Sequence, residues 1–486
     1  MREFSHLHGH SFHSNGLQPD ALSSPREIVE RAKELGLQSI CLTDHASVSG
    51  LPDFMEACKE LEIKPVPGCE LYVTDDVITK PAKGERKYQH MLALATSWEG
   101  VQELFALLSS ANRPGNFYYR PRNTYDEIVR TQNLVFTTAC GGGVLGRDDY
   151  MDVCAKLHAA LNADPAVPRF YVEIQPHNDP WQITVNERAI EVSKALGIPL
   201  VATQDFHYAR EGQNISHEVL LAVGSGKTWS DPDRWRYPVS DLYIKNMAEM
   251  VEAFAPHVKA GRLTGTDVAN GIYNARQITE RVNVEWRKFD ISLPKMSDEP
   301  EKELMRLCID ALNGRGLIGH SEYVDRVRYE FEAIKQSGFL MYFLVLRDVI
   351  AWSRKNGIMV GPGRGSSGGS LICYLIGITT IDPIKHGLLF ERFYRPGRVD
   401  LPDIDTDFED ERRDEVLSYI RRKFGDEYVA GVANYVTFGA KSAIKDVAKV
   451  FEINSFDVNS ATRQVDNTAS VDEVFSHDAI RPLLDK

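Results

Sequence analysis

Over residues 1–210, short apolar runs alternate with stretches whose apolar positions recur at helical spacing, the pattern of an αβ barrel or a parallel sheet. Ser24-Pro25-Arg26-Glu27 has the form of a capping box with proline at the first helical position, and Gly36 supplies the stop. A strand over 39–43 follows, then a helix over 51–61. A further strand opens at Pro65-Val66 and ends in Gly68-Cys69-Glu70. Later, 181–196 has the spacing of a helix stopped by Gly197, and Pro199 leads into a strand over 200–203. No repeat at solenoid periods and no low-complexity tract interrupts this order.

The texture changes near residue 275. Ser321 is placed to cap a helix with the apolar face Val324, Val327, Phe331 and Ile334, ended by Gly338. A second helix, over 342–356, stops at Gly357. A glycine-serine loop over 361–370, an apolar helix from Leu371 and an acidic strand around residue 403 come next. These signals divide the chain into 1–275, 276–430 and 431–486.

At 486 residues and 43% apolar content the chain can bury two or more domain cores. The net charge of −13 does not suggest nucleic-acid binding, although clustered carboxylates can hide a local basic groove. Seven cysteines without a CxxC pair fit a reducing compartment better than a disulfide scaffold. The start Met-Arg-Glu-Phe-Ser-His lacks the apolar stretch of a secretion signal, and the longest uncharged apolar run, 371–381, is too short to span a bilayer. A cytoplasmic protein without membrane association is expected.

Polar residues of metal-binding type gather just beyond the expected strands. His8 and His10 have the i, i+2 spacing that puts both imidazoles on one side of a strand. Asp44-His45, Glu70 and Asp205-Phe206-His207 each follow a strand, and strand ends of an αβ barrel form one face where chemistry concentrates. Singly, each has an ordinary reading: a surface HxH pair, a helix-capping aspartate, a small buried Cys140, an unremarkable His90. Jointly they do not, because independent accidents would not all fall at strand ends. Imidazole, carboxylate and thiolate together suit zinc, manganese or iron better than magnesium.

FSHLHGHSFHS, CLTDHASVSG, PGCELYV, TTACGGG and PLVATQDFHY resemble, in order, the motifs of the PHP (polymerase and histidinol phosphatase) domain of bacterial DNA polymerase III alpha subunits. The resemblance implies a distorted (βα) barrel binding up to three metals, Zn2+ or Mn2+, through nine ligands. By motif these are His8, His10, His45, Glu70, His90, Cys140, Asp205 and His207, with His177 in a family-like segment. The family's aspartate after the first motif has no direct match. Ser14-Asn15-Gly16 stands there, leaving that ligand open between Asn15, Asp20 and none.

In the second half, the loop 361–370 contains Gly361, Gly363, Gly365, Gly368 and Gly369 with Arg364 and Ser366. Glycines let backbone amides approach an anion, and a following helix N-terminus adds a favourable dipole. Asp403, Asp405 and Asp407 alternate, so a strand would set three carboxylates on one face, costly unless divalent metal neutralises them. GPGRGSSGGSL, DPIKHGLLFERF, LPDIDTDF and YVTFGAKSAIKDVAKV resemble the alpha-subunit palm, a polymerase-beta-like nucleotidyltransferase fold, and the start of a helical thumb. The resemblance implies Mg2+ on Asp403 and Asp405, triphosphate on Gly363, Arg364 and Ser366, Arg392 near the incoming nucleotide, and template backbone at Lys441 and Lys445. Arg412, Arg413, Arg421, Arg422 and Lys423 are weaker candidates for the same backbone.

The expected function is DNA-directed DNA polymerisation, with a PHP domain acting as a metal-dependent 3′–5′ exonuclease. Primer-template DNA, dNTPs and replisome subunits are the expected partners. The resemblance stops inside the thumb, before the third catalytic aspartate and the fingers, so the chain is expected to be either a piece of a longer polymerase or one half of a split one, in which a second polypeptide would supply these. The alternatives are a stand-alone PHP phosphoesterase and a non-catalytic replisome scaffold. The first needs neither Asp403 nor Asp405 beside the glycine loop, and the near-complete ligand set tells against the second.

Overall fold

The computed structural model describes residues 4–16, 19–79, 88–289, 292–395, 400–432, 434, 437–466 and 469–484. They fall into two compact units, Met1–Arg287 together with Tyr435–Lys486, and Lys288–Asn434. In the first unit α1 (Pro25–Glu34), β1 (Ser39–Leu42), α2 (Leu51–Leu61), β2 (Lys64–Thr74) and β3 (Gln89–Ala95) come first. Then follow α3 (Trp98–Ala111), β4 (Asn123–Thr124), α4 (Tyr125–Val129), β5 (Leu134–Thr137), α5 (Tyr150–Leu161), β6 (Phe170–Ile174), α6 (Pro180–Leu196) and β7 (Leu200–Ala202). Three helices close the barrel region: α7 (Asn214–Ser225), α8 (Met247–Lys259) and α9 (Gly265–Arg281).

The sheet runs β1-β2-β3-β5-β6-β7, with β4 beside β2. It is mixed, because β3 lies antiparallel to both β2 and β5 while the other main pairings are parallel. Every residue of β1, β5, β6 and β7 is buried, as expected of strands covered on both faces. An extended segment around Gly9 joins the two edges. Thr43 N donates to Gly9 O at 2.9 Å, and His10 N donates to Phe206 O at 2.9 Å. The result is a distorted barrel sealed by the segment that carries His8 and His10.

The capping box at Ser24 forms with Glu27, and Gly36 follows α1 at φ +71. The strand expected to end at Glu70 continues to Thr74, where β3 and β4 extend its pairing. The expected division at 275/276 falls inside α9. That helix has no break there, and its Val268, Ile272, Ala275 and Ile278 are all buried in the first unit, whose first stretch of chain runs on to Arg287.

In the second unit α10 (Pro300–Gly314), α11 (Ser321–Gln336), α12 (Leu340–Lys355) and α13 (Leu371–Leu375) enclose Leu304, Phe331, Phe343, Ile372 and Phe390, while α14 (Arg413–Phe424) packs Val416 against Val349 and Ile358. Ser321 does not cap α11. It is the first helical residue, and His320 before it makes no side-chain cap bond. Nor do residues 403–407 form a strand. Pairing there is limited to a bridge between Val360 and Phe408, so the three carboxylates lie on irregular chain with no ladder partner.

The last helices, α15 (Ala440–Val450), α16 (Ser455–Arg463), α17 (Val471–Ser476) and α18 (Arg481–Leu484), bury Ala448, Val458, Val474 and Ile480 together. They group with the first unit rather than with the palm-like segment before them. Trp229 N donates to Val450 O at 2.7 Å, and the Trp229 ring meets Phe451 at 5.4 Å. Tyr435 and Val436, which open the YVTFGAKS motif, lie outside the described residues.

Gly9 is required by close approach: a Cβ there would sit 2.1 Å from the Phe206 ring. Gly9→Ala must therefore push apart the two edges that it ties. We expect a loss of roughly 3 kcal/mol, measurable as an earlier unfolding transition in denaturant.

Candidate functional site

The strand ends bring the expected ligands to one place. His8 and His10 come from the closing segment, His45 follows β1, Glu70 lies in β2, His90 opens β3, and Cys140 follows β5. Asp205 and His207 follow β7. Ligand atoms of His10, His45 and His207 lie within 4.8 Å of one another, as do those of His8, His10 and Asp205, and those of His45, Glu70 and His90. Cys140 Sγ is 3.6 Å from His90 Nδ1 and 3.7 Å from Glu70 Oε1, so it stands beside the third trio.

Glu70 is the common neighbour. Its carboxylate oxygens approach His45 Nδ1 at 2.5 Å, His90 Nδ1 at 2.8 Å, His8 Nε2 at 3.5 Å and His10 Nε2 at 3.7 Å. Burial alone would push its carboxyl up, but the imidazoles of His90 and His45 outweigh that and hold it well below the usual range. Burial likewise opposes charge on His8, yet the Asp205 and Glu173 carboxylates raise it well above its ordinary value. His10, buried and beside His45, is pushed down to about 3. Burial, reinforced by the Glu70 charge, pushes the Cys140 thiol well up, so a Cys140 thiolate needs a cation beside it.

Two observations speak for metal ions here. His8 Nε2, His45 Nδ1, Glu70 Oε2 and Asp20 Oδ1 are buried and make no hydrogen bond of acceptable geometry among the described residues. Close approach without hydrogen-bond alignment is what lone pairs aimed at a shared cation produce. Three backbone positions next to or within the ligand set, Ala46, Ala139 and Asp205, also sit at φ of 44 to 55. Such left-handed strain in non-glycine residues persists where surrounding structure imposes it.

Asn15 and Asp20 take different parts in the geometry. Asn15 spends its side chain on its own loop, accepting from Asp20 N and Ala21 N and donating to Ala21 O. That clamp presents Asp20, whose Oδ2 lies 3.2 Å from His45 Nε2. His177 stands apart from the trios: its Nε2 meets Gln204 O at 2.8 Å and its Nδ1 meets Asp241 at 3.3 Å.

Two supporting residues, Glu173 and Tyr237, escaped the sequence reading, and Asp44, read there only as part of the strand-end pattern, proves to be a third. Glu173, inside β6, accepts from the Thr137 and Thr203 hydroxyls and meets His8 Nδ1 at 2.7 Å, which fixes that ring. Asp44 accepts from Ser11 and from Ser14, and burial pushes it up to about 6. The Tyr237 hydroxyl meets His207 Nε2 at 2.9 Å. A charged residue in the middle of the apolar run FYVEI was the one available signal for Glu173. The cleft above the ligands measures about 500 Å³ and is walled by Tyr72, Tyr88, Trp181, Trp235, Tyr237 and Arg120.

In the second unit, the glycine loop lies against the acidic segment. Arg364 Nε is 3.2 Å from Asp407 Oδ1, and its Nη2 is 3.8 Å from Asp405 Oδ1. Gly361 N donates to Asp407 O at 2.9 Å, and a Cβ on Gly365 would stand 3.1 Å from Asp405 Oδ2. Gly363, at φ +101 and packed on Thr379, admits only glycine. Gly363, Arg364, Ser366 and Arg392 share a cavity of about 410 Å³ with Leu388 and Leu389. The expected contribution of the following helix fails, since Glu330 already holds the first amides of α13.

Lys445 is exposed on α15 and Lys441 half-buried. Arg412 and Lys423 are tied to Glu415 and Asp348, which removes them from a free basic face.

With this donor set we expect about two to three transition-metal ions per chain by elemental analysis, and fewer in Glu70→Gln. Because His8 and His45 hold protons above the ordinary histidine range and Cys140 is a thiol, adding zinc to stripped protein near neutral pH should release protons. Metal affinity should fall as pH falls, since protons then compete at His8 and His45; a pH-independent zinc titration would contradict the assignment.

Residues 6–177 match the PHP domain family, and residues 302–484 match the family described as bacterial DNA polymerase III alpha NTPase domain. The DNA polymerase III subunit alpha of Thermus aquaticus is 34% identical over 93% of this chain and 42% of its own length. Those of Treponema pallidum and Aquifex aeolicus are 34% and 35% identical, over 95% and 92% of this chain and 39% and 40% of theirs. The chain thus spans less than half the length of these curated relatives. By these matches it joins a PHP domain to the NTPase domain of the bacterial DNA polymerase III alpha family.

Proposed function

We propose that the chain is the part of a replicative DNA polymerase that holds an exonucleolytic metal centre and the triphosphate-binding side of the nucleotidyl-transfer site. The juxtaposition of Arg364 with Asp405 on one surface carries this reading. A pure phosphoesterase needs no such loop and carboxylates. Divalent ions at His8, His10, Asp20, His45, Glu70, His90, Cys140, Asp205 and His207, zinc or manganese by donor type, would supply Lewis acidity for phosphodiester hydrolysis. Magnesium at Asp403 and Asp405 would supply charge neutralisation for triphosphate transfer.

The chain's own residues do the positioning. Glu173 turns His8 so that Nε2 faces Glu70 and Asp205, and the Asp44–Ser14 pair holds the His10 side of the ring. Arg364 rests on Asp405 and Asp407; an incoming triphosphate offers it stronger anionic oxygens and leaves the aspartates to a cation. Arg392 lies in the same cavity and takes the nucleotide's charge from the other wall. Primer-template DNA, reached by Lys441 and Lys445, dNTPs, replisome subunits and a cytoplasmic setting follow from this reading. So does a partner polypeptide or further chain segment that supplies the fingers and a third aspartate.

Two measurements separate the sites. Slow 3′–5′ shortening of single-stranded DNA, stimulated by manganese or zinc, should be lost in Asp205→Asn and in His207→Ala and retained in Asp403→Asn. Shortening that persists in both first-unit variants would place the activity elsewhere. The 486-residue chain alone should extend a primed template negligibly. When complemented by a polypeptide with the fingers and third aspartate, Asp403→Ala or Asp405→Ala should cut extension by roughly a thousandfold or more. Unchanged extension in that complex would remove Asp403 and Asp405 from catalysis.

A further inference from the structure

A helix that follows a glycine loop ordinarily leaves its first amides open to an anion. Here they are taken. Leu371 N and Ile372 N donate to Glu330 Oε1 and Oε2 at 2.9 and 3.0 Å, and the Ser370 hydroxyl donates to Oε2 at 2.8 Å. Cys373 N in turn donates to Ser370 Oγ at 3.2 Å. Glu330 is fully buried on α11, one turn beyond Arg326, whose Nε donates to Glu330 Oε1 at 2.7 Å.

The same guanidinium spans the pocket's supports. Arg326 Nη2 donates to Gly369 O at 2.9 Å and to Leu388 O at 3.2 Å. Gly369 belongs to the glycine loop and Leu388 to the segment opposite, and both line the nucleotide cavity. Tyr329, on the same stretch of α11, donates its hydroxyl to Glu391 at 2.9 Å, next to Arg392. One helix therefore grips both walls without lining the cavity itself.

Packing alone does not call for a charge at this position, since a neutral side chain of similar volume would fill the space without the cost of burying an ion. Each Glu330 oxygen instead receives two donors, which is what a bound phosphate or carboxylate would receive in the same place. Burial pushes the carboxyl up, and the amide, guanidinium and hydroxyl donors work against it.

We propose that Glu330 is a built-in anion that occupies the start of α13 and, with Arg326, fixes both walls of the pocket, so that a nucleoside triphosphate is taken by the glycine loop, Arg364 and Arg392 and is directed toward Asp405 instead of toward α13. This rests on reading the loop as a triphosphate site. Glu330 and Arg326 are positioning residues, acting through the loop and the Leu388–Arg392 turn.

The test uses the full chain and a fluorescent N-methylanthraniloyl deoxynucleoside triphosphate with magnesium, followed by anisotropy. Wild-type protein should bind it and Arg364→Ala should not. If wild type fails to bind, or Arg364→Ala binds equally well, the loop is no triphosphate site and the inference falls with that reading. Given that control, Glu330→Gln, which sets an amide N–H against a backbone N–H, and Arg326→Lys should each weaken binding about tenfold or more. Circular dichroism and the metal content of the first unit should stay unchanged. Acetate should restore part of the affinity of Glu330→Ala and none to Arg364→Ala, because it returns a carboxylate to the freed amides. Wild-type affinity in both Glu330→Gln and Arg326→Lys would overturn the proposal while leaving the loop's role intact. Should the Glu330 variants not fold, Arg326→Lys alone decides, and its binding as wild type overturns the proposal.

Discussion

One buried carboxylate organises the first unit. Glu70 lies on β2 with no exposed atoms, and imidazoles from three other elements turn toward it. Taking a carboxylate and several histidines out of water is tolerable only if positive charge is shared among them, either as protons or as metal ions. The mixed sheet makes that possible. β3 runs antiparallel between β2 and β5, so His90 at the start of β3 meets Glu70 from the side while His45 and Cys140 arrive from the ends of β1 and β5. The carboxylates beside His8 and His45 raise both imidazoles well above their ordinary range, so protons and a cation would compete for the same place.

Much of this arrangement was legible because ligands of a strand-end site must stand where an apolar run stops. His45, Asp205 and His207 do so, and α1, α2 and α6 are marked by capping residues, proline or glycine at their ends. What stayed hidden was support from within regular elements. Glu173 is one residue of an apolar strand, and Glu330 with Arg326 has the i, i+4 spacing of an ordinary solvated pair. Asp20 was ambiguous because its loop is shaped by Asn15, and no local pattern says which of two polar residues clamps and which points inward. The alternating aspartates misled differently. Alternation describes a strand only when a partner ladder exists, and here pairing is confined to Val360 and Phe408.

The two units solve opposite electrostatic problems by similar means. In the first, carboxylates and imidazoles are concentrated and buried around a place for cations, with Glu173 fixing the geometry from behind. In the second, the loop proposed to take the triphosphate offers donors, and Glu330 is a fixed anion behind it that already occupies the first amides of α13. Both rely on a carboxylate that never meets solvent: Glu173 fixes the buried His8 ring, and Glu330 holds the start of α13.

The junction of Gly9 with Phe206 has a consequence for how the protein is made. Its two sides stand on the order of 200 residues apart, so closing the ring means joining chain segments of very different age. At roughly 5–20 residues per second of synthesis, about ten to forty seconds separate the appearance of His8 from that of Asp205. During that interval the histidines near the start of the chain have none of the acidic partners that follow β7. A tight metal centre is therefore among the last features of the barrel to form on the ribosome, and ions that bind earlier can be exchanged until the ring closes.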